Sequence, residues 1–310
     1  MPPGRLAHVY ANTVATSAGA VTFDGPDELA AALRAESYLA DRSLAVALHL
    51  ALAMRRPVLL EGEPGVGKTE VARTLARVLG AELVRLQCYE GIDAGQALYE
   101  WDYARQLLYA RLLQAGDLDA DATVDQLYGH RFLQERPLLA AVRAGSRAVL
   151  LVDELDRADD EFEAFLLETL SDSAVTIPEL GTVGSPDGSR PAVVITSNRT
   201  RELHDALKRR CLYHWLDYPD EERETEIIRL RVPAAGDRLA RSVAAAVARL
   251  RGMDLLKPPG AAEAIDWAEA LAVLGHHEVT EDGARATLGW AVKSHDDLVS
   301  VERRIAELLA

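Results

Sequence analysis

The chain has 310 residues, 49% of them apolar, which is enough for one large domain and one small one, each with a core of its own. Its 34 basic and 49 acidic residues give a formal charge of −15, which argues against a non-specific grip on nucleic acid or on an anionic membrane. The two cysteines, Cys88 and Cys211, stand far apart without C-x-x-C spacing, so neither a disulfide framework nor a zinc ribbon is indicated, and both suit a reducing cytosol.

Residues 1–23 are rich in Ala, Gly, Thr and Pro without sustained periodicity and are expected to form a poorly anchored arm. No basic segment followed by an apolar one opens the chain as a signal peptide would. Leu29, Leu33 and Leu39 suggest a helix starting near Asp27, and Asp41 starts a second one that runs to Met54. The apolar run Leu44 to Met54 is about half the length needed to span a bilayer and contains His49, so it reads as a buried helix.

Val58 to Glu61 reads as a short buried strand, and Val71, Leu75, Val78 and Leu79 share one face of a helix that Gly80 is placed to cap. Between them lies Gly62-Glu-Pro-Gly-Val-Gly-Lys68-Thr69, the pattern G-x-x-x-x-G-K-[ST]. Gly62, Gly65 and Gly67 let successive backbone N–H groups turn inward around phosphate oxygens, and Glu63, Pro64 and Val66 complete the turn. Lys68 would reach the β- and γ-phosphates, the Thr69 hydroxyl would ligate Mg²⁺, and Glu70 follows in the first turn of a helix whose N-terminal dipole favours an anion.

Leu83 to Leu86 reads as a second strand, and Gln96 to Leu113 as a helix carrying Tyr99, Trp101, Tyr103 and Tyr109. These rings either pack the helix against a neighbour or present some of their number to a partner. Asp117-x-Asp119-x-Asp121 fails as a calcium loop, because Ala122 replaces the required Gly and Tyr128 the bidentate Glu, and reads as a solvated linker.

Ala148 to Val152 is an apolar run typical of a parallel-sheet strand, and it ends in Asp153-Glu154. Two acids at such a strand end complement the phosphate loop, since ligands of open α/β sheets sit at the carboxyl ends of the strands. Asp153 would hold the Mg²⁺ shell, and Glu154 would orient and activate an attacking water. Asp159 caps a helix with Phe162, Phe165, Leu166 and Leu170 on one face, and Val175 to Ile177 starts a hairpin whose tip extends through the Gly/Pro-rich segment to Pro191. Ala192 to Thr196 is another strand, ending in Ser197-Asn198, where Asn198 is either a turn residue or an amide that bonds the attacking water or the γ-phosphate. Leu203 to Leu207 is read as a short helix, Lys208-Arg209-Arg210 as a solvated turn or a source of a γ-phosphate-neutralising arginine for a neighbouring subunit, and Cys211 to Leu216 as a fifth strand. From Asp220 onward four or five helices follow without a β-like run, which places a domain boundary near residue 219. His276, His277 and His295 lack partners at ligand spacing.

In this order the motifs resemble the AAA+ ATPases, and specifically the MoxR family, over roughly residues 24–275. The most specific parts are GEPGVGKTEVA, LLVDELDRADDEFEAFLLETLSDSAVTIPELG and ITSNRTRELHDALKRRCLYHWLDYP, while LQCYEGIDAGQALYEWDYARQLL is similar to the CoxD-like branch associated with carbon monoxide dehydrogenase maturation. The resemblance implies an α/β AAA+ P-loop core over 24–219, with a five-stranded parallel sheet of order 5-1-4-3-2, and an all-helical lid over 220–310. It further implies a homo-oligomeric ring, usually hexameric, with ATP and Mg²⁺ between subunits, and a chaperone-like role beside a protein carrying a von Willebrand factor A domain. By motif position Asn198 is the sensor-1 residue, and Arg210, or Arg209 beside it, is the arginine that closes the following helix. Insertions at about 88–100 and 176–191 would face the ring pore, and no arginine stands near Pro259 to Glu263, where a sensor-2 residue is expected.

The leading expectation is therefore a cytoplasmic ATP-hydrolysing remodelling or maturation factor. A nucleotide-dependent assembly scaffold with incidental turnover is the alternative, and Glu154 favours hydrolysis because binding alone needs no water-activating carboxylate.

Overall fold

The computed structural model describes residues 22–114, 127–172 and 174–309, so the expected N-terminal arm, apart from its last two residues, and the Asp117 to Asp121 linker lie outside the described residues. Helices α1 (Pro26–Ala35) and α2 (Arg42–Met54) come first, the second capped by Asp41, whose Oδ1 accepts the Leu44 N–H at 2.7 Å. Strand β1 (Val58–Gly62) leads into α3 (Lys68–Leu79), which Gly80 terminates at φ 60°, and then into β2 (Glu82–Gln87). Next come α4 (Ala94–Leu98), β3 (Tyr99–Trp101) and α5 (Tyr103–Gln114), and β4 (Leu133–Glu135) returns to pair antiparallel with β3. Helix α6 (Pro137–Ala144), β5 (Ala148–Asp153) and α7 (Asp160–Asp172) follow, then the hairpin β6 (Ala174–Ile177) and β7 (Gly181–Gly184), then β8 (Ala192–Ser197), α8 (Asp205–Lys208) and β9 (Leu212–Leu216). The chain closes with α9 (Glu221–Arg231), α10 (Gly236–Gly252), α11 (Ala261–Val273), α12 (Glu281–Ala291), α13 (His295–Arg303) and α14 (Ile305–Leu309).

The main sheet has five parallel strands in the order β2-β5-β8-β1-β9. Counted among these five alone, that is the expected 5-1-4-3-2 arrangement. Alternate residues of each strand face opposite ways, so Val58, Leu60, Val149 and Leu151 meet α1, α2 and α3 on one face. Leu59, Leu150 and Val152 meet α6, α7 and α8 on the other. Burial on both faces explains why the central strands read as unbroken apolar runs. Parallel pairing also aligns the strand ends, with Gln87 opposite Asp153 and Glu61 opposite Ser197, so β1, β5 and β8 deliver their last residues to one edge. The C-terminal helices enclose a separate core around Trp267, Leu239, Val243, Leu271 and Leu288.

Several local expectations are corrected. The helix expected over Gln96 to Leu113 is interrupted by β3, because Tyr99-Glu-Trp101 pairs with β4 and buries Trp101 beside Phe132, Leu139 and Val175. The aromatic residues divide accordingly: Trp101 is core, and Tyr103 is 65% exposed. Helix α1 ends at Ala35, before Leu39, and α8 starts two residues after Leu203. The hairpin occupies only 174–184. Beyond it, Ser185 to Ser189 forms its own turn, with Asp187 accepting from the Ser185 hydroxyl at 2.6 Å and the Ser189 N–H at 2.9 Å. After Asp220 the described residues form six α-helices, the last stretch being divided at Arg304 into α13 and α14.

Candidate active site

The phosphate-loop sequence leaves β1 at Gly62 and enters α3 at Lys68, with Gly65 at φ 79° and Gly67 at φ 97°. Side chains other than glycine pay steric energy in that left-handed region. Lys68 is 7% exposed, and its ammonium donates to the carbonyls of Gly62 at 2.6 Å and Glu63 at 2.8 Å. Burial draws its pKa down to about 8, against the opposing pull of Asp156, Glu63, Asp153 and Glu154.

Asp153 ends β5 and is almost fully buried. Its Oδ1 accepts the hydroxyls of Thr196 at 2.6 Å and Thr69 at 3.1 Å, and its Oδ2 accepts Nε and Nη2 of Arg85 at 2.9 and 2.6 Å. Glu154 turns at φ 55°, a conformation that costs a non-glycine residue roughly 1 kcal/mol. The turn is held by its own N–H, which donates to Thr196 Oγ1 at 2.9 Å. The Glu154 carboxylate accepts from the Gln87 amide at 3.1 Å and the Asn198 amide at 3.4 Å, with Arg157 Nη1 3.5 Å away. Asp156, also buried, fixes the loop that follows β8 by accepting from the Asn198 and Thr200 backbones at 3.2 and 2.8 Å.

Lys68, Thr69, Asp153, Glu154 and Asn198 thus line one cavity of about 820 Å³, which Tyr38, Asp41, Trp215 and Tyr218 extend. Its far wall comes from the helical region. Arg223 donates to the Leu39 carbonyl at 2.8 Å, Arg231 to Glu70 at 3.2 Å, and the Ala262 N–H to the Gly65 carbonyl at 3.3 Å. Gly260 packs so closely on the phosphate loop that a Cβ there would lie 2.6 Å from Gly65 Cα. Arg209 and Arg210 do not line this cavity, and Arg210 bonds Ser171 Oγ at 2.8 Å on an exposed surface.

Sequence reading alone missed Arg85, Gln87 and Thr196. Arg85 and Gln87 stand two apart on β2 and so share one face, a signal hidden by reading that strand for its apolar residues.

The donor set suits a nucleotide with a magnesium ion. Among the described residues no group of three or more His, Cys, Asp and Glu forms a self-sufficient metal cage. Magnesium characteristically takes one or two protein oxygens and completes its shell with phosphate and water, and the adjacent Thr69 hydroxyl and Asp153 carboxylate are hard oxygens of that kind.

Residues 57–211 match the AAA domain of the dynein-related subfamily. The chain belongs to that family. Over 142 residues this AAA domain protein is 34% identical to midasin of Giardia intestinalis, a match covering 45% of the chain and only 2% of midasin's length. It is 25% identical over 233 residues to Protein NorQ of Paracoccus denitrificans, covering 72% of this chain and 76% of NorQ. Among solved structures, a mutant form of Thermotoga maritima RuvB superimposes with a TM-score of 0.47 at 19% identity, over 90% of this chain and 76% of that one. Family membership supports nucleotide binding and nucleotide hydrolysis in general. No helix among the described residues is long and apolar enough to cross a membrane.

Proposed function

We propose that this protein is a MoxR-type AAA+ ATPase that hydrolyses ATP and acts as a ring-forming, chaperone-like remodelling or maturation factor. The observation that carries the reading is the convergence of the Lys68 loop, the Thr69 and Asp153 oxygens and the Glu154 carboxylate on one cavity. In this reading Gly62 to Glu70 hold the phosphates, Lys68 neutralises the β- and γ-oxygens, and Thr69 and Asp153 hold Mg²⁺, Asp153 directly or through water. Magnesium-bound ATP supplies a polarised γ-phosphoryl group. Glu154 takes the proton of the attacking water at a carboxylate oxygen, and Asn198 fixes that carboxylate and the water beside it. Two amide donors to one carboxylate define its plane before the substrate arrives.

Residues 24–219 then form the nucleotide-binding domain and 220–310 the lid, a division supported by the separate apolar core of the C-terminal helices. Arg210, with Arg209 as its neighbour, lies outside the chain's own site and is assigned to the active site of an adjacent subunit in a ring, hexameric by resemblance. The MoxR-like motifs and the likeness to NorQ over 72% of the chain support the family branch. The resemblance to CoxD-like proteins suggests service to a metalloenzyme, with a von Willebrand factor A domain protein as partner in the cytoplasm. Phosphate release from ATP in Mg²⁺, measured beside calorimetric ATP binding, tests the assignment: Lys68→Ala should abolish both. Unchanged ATP affinity in that variant would remove the loop from its role.

A further inference from the structure

We propose that Arg85 is a positioning residue that serves as the internal counter-charge of Asp153, standing in for the divalent cation until nucleotide brings it. The inference rests on the magnesium-nucleotide reading of the site and goes beyond it by assigning a role to a strand residue outside the phosphate loop. Asp153 is 2% exposed, and a buried carboxylate needs a partner charge. Lys68 is turned to the carbonyls of Gly62 and Glu63, and among the described residues Arg85 is the cation in ion-pair contact with Asp153.

The geometry divides the carboxylate between two tasks. Both Arg85 donors converge on Oδ2, while Oδ1 faces the two threonine hydroxyls, one of them the proposed magnesium ligand Thr69. Arg85 therefore fixes the carboxylate plane and keeps Oδ2 occupied, leaving Oδ1 for the cation shell. The same guanidinium reaches the second acid indirectly. Its Nη2 donates to Gln87 Oε1, which leaves the Gln87 Nε2 directed at Glu154 Oε2 at 3.1 Å. One arginine thus orients both acids at the end of β5. Its side chain remains 46% exposed on the cavity wall, so it is free to yield when a stronger cation arrives.

Two positive charges competing for one carboxylate are thermodynamically linked, and the linkage can be read without turnover. The ADP affinity is measured by calorimetry in excess Mg²⁺ and again in EDTA for wild type, Arg85→Gln and Arg85→Lys, and the ratio of the two dissociation constants is compared. In Arg85→Gln the uncompensated Asp153 should repel the phosphates in EDTA and attract Mg²⁺ more strongly, raising the ratio about tenfold over wild type. Arg85→Lys should fall between, since a point charge reaches Oδ2 without also holding Gln87. In an Asp153→Asn background, Arg85→Gln should change the ratio less than about twofold, because the shared carboxylate is gone. A ratio in Arg85→Gln within about twofold of wild type, with ADP still bound in Mg²⁺, would overturn the inference. Equal weakening in both conditions would overturn it too, by making Arg85 a plain phosphate ligand. If wild type itself binds no ADP, the nucleotide reading fails first and this inference with it.

Discussion

Among the buried carboxylates of this protein that are matched by an arginine, Glu224 and Asp153 carry pairs that are built differently. Glu224 of α9 is fully buried and closed at both oxygens by Arg251, at 2.7 and 2.9 Å. Arg251 is itself 12% exposed, stacks over the Tyr218 ring, and donates to the carbonyls of Pro219 and Pro259. Burial pushes the Glu224 carboxyl up to about 7, against the pull of Arg251. Asp153 is equally buried, yet Arg85 covers only one of its oxygens and stays half-exposed. The first pair ties the chain leaving β9 and the loop before α11 to one point and leaves no room for exchange. The second leaves Oδ1 to two threonine hydroxyls beside a cavity, neutral donors that an arriving cation can displace. Pairing alone therefore does not distinguish structural from functional charge; the distinction lies in whether both oxygens are closed by the arginine or one is held by neutral donors beside a cavity.

The largest expected effect tests the closed pair. Arg251→Met strands Glu224 without its counter-ion and should cost about 3–5 kcal/mol in urea denaturation. Arg85→Gln also takes a counter-ion from a buried carboxylate, but beside a cavity and with two threonine hydroxyls still on Oδ1, so it should cost less than Arg251→Met in the same denaturation. A loss under about 1 kcal/mol for Arg251→Met would erase the contrast.

Next is the contact that Arg251 supports through Pro259. Gly260→Ala places a methyl 2.6 Å from Gly65 Cα, against backbone that cannot rotate away. Overpacking of this kind costs roughly 1–3 kcal/mol, and here it should also weaken ADP binding, because the displaced partner is the phosphate loop. Full ADP affinity in a folded Gly260→Ala protein would show that the helical region does not brace the loop.

A smaller, graded effect follows from Lys68. Its pKa in the free protein lies near 8, below the usual lysine value, and a bound phosphate raises it by favouring the ammonium. A group whose pKa is higher in the complex binds ligand with proton uptake. ADP affinity should thus be flat below about pH 8 and weaken by up to about tenfold per pH unit above it, until the pKa of the complex is passed. In Lys68→Arg, which stays charged, the profile should be flat. A flat profile in wild type would mean that Lys68 carries no titrating charge to the phosphates.

The loop, its lysine and the two acids were legible because each is specified locally, by glycines where φ must be positive and by an apolar run that ends in charge. The strand order entered through resemblance to a family, since no periodicity states which parallel strands are neighbours. Strand β3 was hidden because it spans only Tyr99–Trp101, too short for its two-residue spacing to stand out from the helices on either side, and pairing with Leu133 to Glu135 is what defines it. Arg85, Gln87 and Arg251 were illegible for a related reason. Their partners lie 68, 67 and 27 residues away in sequence, so their meaning exists only after the chain has folded.

The most direct test of the central claim is the fate of ATP on the Glu154→Gln protein. The amide keeps the shape of the carboxylate and its place beside Gln87 and Asn198, but cannot take a proton from water. After incubation with γ-labelled ATP and Mg²⁺, rapid desalting and acid quench, wild type is predicted to yield ADP and free phosphate, and Glu154→Gln to yield bound, intact ATP. Release of phosphate by Glu154→Gln at the wild-type rate would contradict the account.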